Sequence, residues 1–153
     1  MMDDLALNKF KIPLNSCFED VDELGVVTSY KHMGSVLHTS GSMALEIQNR
    51  CSAFMQSYSK LSKRVFRNNM FSKEHRISLM HSRLMSRLLY NIGSAHKLTH
   101  RNIVKLSTYY LKACRDIANM HNLEGGEVKY TDIHVQSHLN LPSIHTLIRC
   151  ARL

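Results

Sequence analysis

A chain of 153 residues with twenty Lys and Arg against twelve Asp and Glu carries a formal charge of +8. It is long enough for one domain with a substantial core and is biased toward acidic partners, nucleic acid first among them. With 44% hydrophobic and 21% charged residues it falls outside the disordered class. No apolar run approaches the ~20 residues of a membrane span, and no basic-then-apolar secretory signal opens the chain, so a soluble intracellular protein is expected.

Half of the acidic residues, Asp3, Asp4, Glu19, Asp20, Asp22 and Glu23, precede Gly25, so the remainder is more basic than the average. Ten histidines would add charge toward their ordinary pKa of ~6.5, tightening any phosphate contact in mild acid. Cys17, Cys51, Cys114 and Cys150 are widely spaced and sit mostly on apolar helical stripes. That pattern suits reduced, buried thiols better than a disulfide framework.

Residues 1–24 show no sustained period, and Pro13 interrupts the run Phe10-Lys11-Ile12, which predicts an irregular lead-in. Residues 25–40 read as a β-hairpin. Val26-Val27-Thr28-Ser29-Tyr30 and Ser35-Val36-Leu37 are rich in β-branched and aromatic residues, and Gly34, without a Cβ, marks a bend. Strands at 26–31 and 33–38 are one placement, and a single longer bent strand is the other.

From Ser40-Gly41-Ser42 onward the pattern is helical. Ser42 is placed to cap a helix in which Ile47, Cys51, Phe54, Tyr58, Leu61 and Val65 recur at alternating steps of four and three. Lys60, Lys63, Arg64 and Arg67 fall on the opposite face near its end. They form either a solvated face matched to the helix dipole or a set of phosphate contacts. After Arg67-Asn68-Asn69, Ser72 caps a second helix whose core face is Ile77, Met80, Leu84 and Leu88, widened by Met85 and Leu89. Lys73, Arg76, Arg83 and Arg87 border that face, an arrangement that packs stems on protein and turns heads outward. Asn91-Ile92-Gly93 stops this helix. Thr99 caps a third, carried by Ile103, Leu106, Tyr110, Cys114 and Ile117, fading by Asn122 and closed by Gly125-Gly126. Residues 41–122 thus predict a three-helix bundle. Residues 127–153 add two short helices, one from Thr131 to about His138 and one from Ser143, started by Pro142. The predicted class is mainly α: three long and two short helices with a small N-terminal β-hairpin.

The order Tyr30-Lys31-His32-Met33-Gly34 after a Val-rich run resembles the F/Y-K-Y-L-G signature of reverse transcriptases of non-LTR (LINE-like) retrotransposons. In that family the hairpin follows the polymerase palm and acts as the primer grip. Glu46-Ile47-Gln48-Asn49-Arg50 is similar to the "E-I…R" helix that follows it, and Leu88-Leu89-Tyr90 with Leu98-Thr99 to "LLYG…W.LT". Ile103, Leu106, Arg115 and Ile117 continue the likeness, as do Leu139-Asn140-Leu141-Pro142 and Arg149-Cys150-Ala151-Arg152-Leu153. It covers roughly residues 26–153. The chain departs from the pattern at His32-Met33, has Asn91 where glycine is usual, and contains no tryptophan. The resemblance implies an RNA-directed DNA polymerase whose hairpin residues Tyr30, Lys31, His32 and Gly34 position the primer. It also implies a thumb whose first helix lies along an RNA/DNA duplex. Phosphate contacts are sequence-independent, so Lys60, Lys63, Arg64 and Arg67, with Arg83 and Arg87 behind them, are the residues expected to make them. In a piece of such a protein, Tyr30 could equally be a core aromatic and His32 a solvent-facing strand residue.

Polymerases of that family use two metal ions held by palm aspartates. The only Asp-Asp here, Asp3-Asp4, has no aromatic or strand around it. The resemblance therefore implies a missing upstream palm, with Mg expected only there, and no activity from this chain alone. A nuclear location suits a retroelement origin. His96 with His100, and His134 with His138, are spaced to share a metal, but neither pair has a third ligand nearby and no Cys-x-x-Cys occurs. Polar surface histidines are expected instead. Two other readings stand beside the polymerase one: a basic helical adaptor for RNA or an acidic protein, and a decayed reading frame.

Overall fold

The computed structural model describes residues 11–13, 23–25, 27–93, 95, 98–120 and 130–152. The chain is mainly α and divides into two units, Met1–Glu46 and Ile47–Leu153.

In the first unit, β1 (Lys11–Pro13) pairs antiparallel with β2 (Glu23–Gly25), Lys11 facing Gly25. The lead-in is thus not wholly irregular as expected; three-residue strands are too short to show the alternation by which strands are read. β3 (Ser29–His32) and β4 (Ser35–His38) form the expected hairpin, with Tyr30 opposite Leu37 and His32 opposite Ser35. Its turn is Met33-Gly34, with φ of 46° and 80°. Positive φ at both central residues is the twist a two-residue hairpin requires, and it moves the second strand two residues later than predicted. Gly34 takes this conformation freely and Met33 at a steric cost. The first turn of α1 (Ala44–Leu61) is tied to this hairpin. Ser42 Oγ accepts from the Ala44 N–H at 3.3 Å, and the buried Glu46 carboxylate accepts the Val36 N–H at 2.7 Å.

In the second unit, α1 runs into a π-helical segment, Ser62–Phe66. A continuous second helix follows, made of α2 (Lys73–Leu79), a π-helical segment Met80–Met85, and α3 (Ser86–Leu88). Then come α4 (His100–Ala118), α5 (Asp132–Leu139) and α6 (Ile144–Cys150). Ser72 and Thr99 cap their helices as expected, and Thr131 and Ser143 do the same, each accepting a backbone N–H in the first turn. α4 is the axis, packing against the first π segment, α2, α5 and α6. Leu106, Tyr110, Ala113 and Cys114 are fully buried on it. Burial pushes the Cys114 thiol up to about 12, so it is unreactive. Cys51 is buried too, whereas Cys150 is exposed, contrary to expectation; Cys17 lies outside the described residues.

The buried face of α1 follows the predicted stripe through Ile47, Cys51, Phe54 and Tyr58 and then departs from it. Ser62 and Phe66 are buried where Leu61 and Val65 were expected. The π turn is the cause, because its wider i→i+5 winding advances the inward position by one residue. Ser62 accepts the Arg67 N–H five residues on, at 2.9 Å. This winding brings Tyr58, Ser62 and Arg67 to one buried carboxylate, Asp116 of α4. Tyr58 and Ser62 donate their hydroxyls to Oδ2, and Arg67 donates Nε and Nη2 to Oδ1, each at 2.9 Å.

Two helix ends also differ from expectation. α4 stops at Asn119, which takes the left-handed conformation at φ 54°, and Gly125-Gly126 lie outside the described residues. The second helix ends at Leu88, and Gly93 serves a different purpose from stopping it. A Cβ there would overlap the backbone carbonyl of Ala151, just past α6, so only glycine lets the chain pass that close. Arg152 reinforces the junction by donating Nη2 to the Ala95 carbonyl at 3.2 Å.

Gly93→Ala should therefore cost about 2 kcal/mol, a fall of roughly 4–8 °C in melting temperature. An unchanged melting curve would remove the close approach. Burial alone would push the Asp116 carboxyl up, but hydrogen bonds from Arg67, Ser62 and Tyr58, with the Arg67 charge, outweigh it and hold the group below the usual carboxylate range. A group depressed in the fold stabilises it above its unfolded pKa, ~3.9, and loses that contribution as pH falls through the folded value. Wild-type unfolding free energy should drop below about pH 5 more steeply than that of Asp116→Asn. Parallel pH curves would show that the carboxylate is not held this way.

Candidate nucleic-acid interface

The residues expected to touch phosphate fall into three groups when their surroundings are examined. On the hairpin, Tyr30, Lys31 and His32 are all exposed, and Tyr30 is 59% so. Tyr30 is therefore not a core aromatic. Strand alternation puts Tyr30 and His32 on one face, with ring centroids 6.0 Å apart and planes 26° from parallel, and Lys31 on the other. Gly34 acts through the turn it permits, and Met33 at the tip is 80% exposed.

On the helices, three predicted cations meet. Lys60 of α1, Arg83 of the second π segment and Arg87 of α3 line one groove of about 420 Å³, together with Gln56, Ser57, Leu61 and Leu79. Leu61 and Leu79 give it an aliphatic lining, against which long cationic side chains can lay their stems. Among the described residues lining it there is no carboxylate. The groove thus presents three positive heads and two polar side chains on a partly apolar bed, which suits an anionic chain better than a small apolar ligand. Lys63 and Arg64 are exposed on the first π segment but do not line it.

The remaining cations are committed to the fold. Arg67 is bound to Asp116 through two of its nitrogens, although its side chain is 47% exposed. Arg76 does not turn its head outward as its place in the second-helix stripe suggested: it is 92% buried and donates Nη1 to the Phe66 carbonyl at 2.9 Å. That carbonyl ends the first π segment and has no helical partner, so a buried arginine satisfies it. Lys73 is spent on the His138 carbonyl. The stripe Lys73, Arg76, Arg83, Arg87 therefore splits at its middle, and only its second half faces the groove.

Two residues behind the sequence resemblance have structural work that its motif alone does not explain. Arg50 lays its guanidinium 4.6 Å above the Tyr90 ring, joining α1 to the end of the second helix. Compared with known proteins, this chain matches no protein-family model, no curated protein and no solved structure. A functional reading of this chain therefore rests on the sequence resemblance and on this geometry.

Among the described residues no three His, Cys, Asp or Glu side chains gather to hold a metal. His134 and His138 are exposed on α5, the His134 ring stacked on Tyr130 at 5.8 Å. Asp3, Asp4 and His96 lie outside the described residues. No described helix is long and apolar enough to cross a membrane. Sequence reading missed Gln56 and Ser57 as groove residues, since neutral polar residues on a solvated face carry no signal. It also missed Asp116, whose signal was a lone acid between Cys114 and Ile117 on an otherwise apolar stripe.

Arg67 and Asp116 should couple in a double-mutant cycle. Arg67→Ala and Asp116→Ala should each destabilise the fold, with an interaction energy of about 1–3 kcal/mol measured by urea denaturation. Strict additivity would show that the pair contributes nothing beyond its separate side chains.

Proposed function

We propose that this chain is a non-catalytic segment of a retroelement-derived reverse transcriptase, its helical unit holding the sugar-phosphate backbone of an RNA/DNA duplex. The observation that carries this reading is the convergence of Lys60, Arg83 and Arg87 on one groove. These cations come from two separate helices, and among the described residues none is neutralised by a carboxylate. Lys63 and Arg64, exposed three and four residues beyond Lys60 on the first π segment, add positive charge beyond the end of α1. The hairpin supports the reading in a second way. Tyr30, Lys31 and His32 are solvent-facing on a strand that ends in a tight turn at Gly34, with the two rings on one face of the ribbon and the cation on the other. Exposed rings are surfaces on which bases can stack, and an exposed lysine is a phosphate contact.

Backbone binding of this kind is sequence-independent and releases counterions, so it weakens steeply with salt. The variant Lys60→Ala/Arg83→Ala/Arg87→Ala should bind an RNA–DNA hybrid about tenfold or more weakly in fluorescence anisotropy. The slope of log affinity against log salt should shrink by about 2–3, one step of ~0.9 for each lost phosphate contact. Circular dichroism should be unaltered, since among the described residues these heads make no hydrogen bond or ion pair with the fold. Equal affinity and equal slope in wild type and variant would remove the groove from the interface. Wild-type binding that ignores salt would point to an acidic protein partner instead.

A further inference from the structure

α4 carries a cationic stripe that neither the sequence resemblance nor the groove uses. Arg101, Lys105, Thr108 and Lys112 recur at steps of four, three and four, which places them on one side of the helix over about 16 Å. Arg101 and Lys112 are exposed and Lys105 is half-buried, on the side away from Leu106, Tyr110 and Cys114. Among the described residues no carboxylate pairs with any of the three cations. Arg115, one turn further on, is by contrast bound to Asp132.

The stripe is also seated against α1. Lys112 Nζ lies 5.3 Å over the Tyr58 ring. Lys105 stands seven residues, two turns, before Lys112 on the same side of α4. Lys60 follows Tyr58 by two residues, about 200° round the helix, so the groove and this stripe lie on different flanks of α1. Between them α1 presents the exposed, uncharged Gln48, Asn49 and Ser52. A polar neutral helix face bordered by cations on both sides matches a two-stranded polyanion, whose paired backbones are separated by a groove with hydrogen-bonding edges.

We infer that Arg101, Lys105 and Lys112 form a second phosphate-contacting ridge that takes the complementary strand of the duplex, so that α1 lies between the two backbones. This rests on the groove reading above and deepens it by assigning the two strands of the duplex to different ridges. A single strand can occupy the groove but leaves the α4 ridge without a partner.

The test uses the full chain and two probes, an RNA–DNA hybrid of about 20 base pairs and one of its strands alone, with anisotropy measured over a range of salt. The variant Arg101→Gln/Lys105→Gln/Lys112→Gln keeps polar stems and removes charge. It should bind the hybrid about tenfold more weakly, with a salt slope smaller by about 2–3, while single-strand affinity stays within about twofold. Restoring charge as Lys105→Arg/Lys112→Arg in otherwise native sequence should leave hybrid affinity at the native level, with matching circular dichroism for every variant. Unchanged hybrid affinity in the Gln variant, with the Lys60/Arg83/Arg87 variant still impaired, overturns the second ridge and leaves the groove standing. Equal losses on hybrid and single strand overturn its assignment to the complementary strand. If neither variant alters any binding, the groove reading fails and this inference with it.

Discussion

One buried carboxylate sets the geometry of the helical unit. Asp116 is 2% exposed, and an ionised group so placed is tolerable only when its oxygens are saturated with donors. The chain supplies Tyr58, Ser62 and Arg67, which stand four and five residues apart. In a regular α-helix, Arg67 would be turned about 140° away from Ser62 and would point elsewhere. The π segment Ser62–Phe66 removes that angle, so the irregular winding and the buried charge explain one another. The same winding fixes the register between α1 and α4, on which the positions of the outward cations depend.

Those cations are sorted by what stands beside them. A positive side chain facing a carboxylate or an orphan carbonyl is consumed by the fold: Arg67 by Asp116, Arg115 by Asp132, Arg76 by the Phe66 carbonyl, Lys73 by that of His138. Lys60, Arg83 and Arg87 have no such neighbour among the described residues and meet around a groove. Counting positive residues along a helix cannot make this distinction, because partners come from elements distant in sequence. Arg76 shows the point: its spacing places it in line with Arg83 and Arg87, yet it is interior.

Much of the fold was legible because its signals are local. Ser72, Thr99, Thr131 and Ser143 act as caps by a rule that needs only a hydroxyl before an amphipathic run. The hairpin was legible from β-branched residues around Gly34, though its exact turn was not, since Met33 gives no hint of the positive φ it adopts. The shift from Leu61 and Val65 to Ser62 and Phe66 was hidden because period analysis assumes constant winding. Gly93 was misread for a related reason: a glycine near a helix end suggests a stop, and the Ala151 backbone that requires it is far away in sequence. Of the site, the groove cations were visible as residues but not as a set, and the neutral Gln56 and Ser57 were not visible at all.

A π turn amounts to one residue more than an α-helix needs over the same rise, so the two π segments mark where this chain holds surplus length inside helices instead of in loops. Removing one residue of 63–65 would yield a more regular helix with better intrinsic hydrogen bonding. Ser62 and Phe66 would then stand three apart and Ser62 and Arg67 four apart, spacings that share one face of a regular α-helix. Indels are ordinarily tolerated at surface connections and rejected in packed helices. Here a packed helix could take a deletion and keep its inward face.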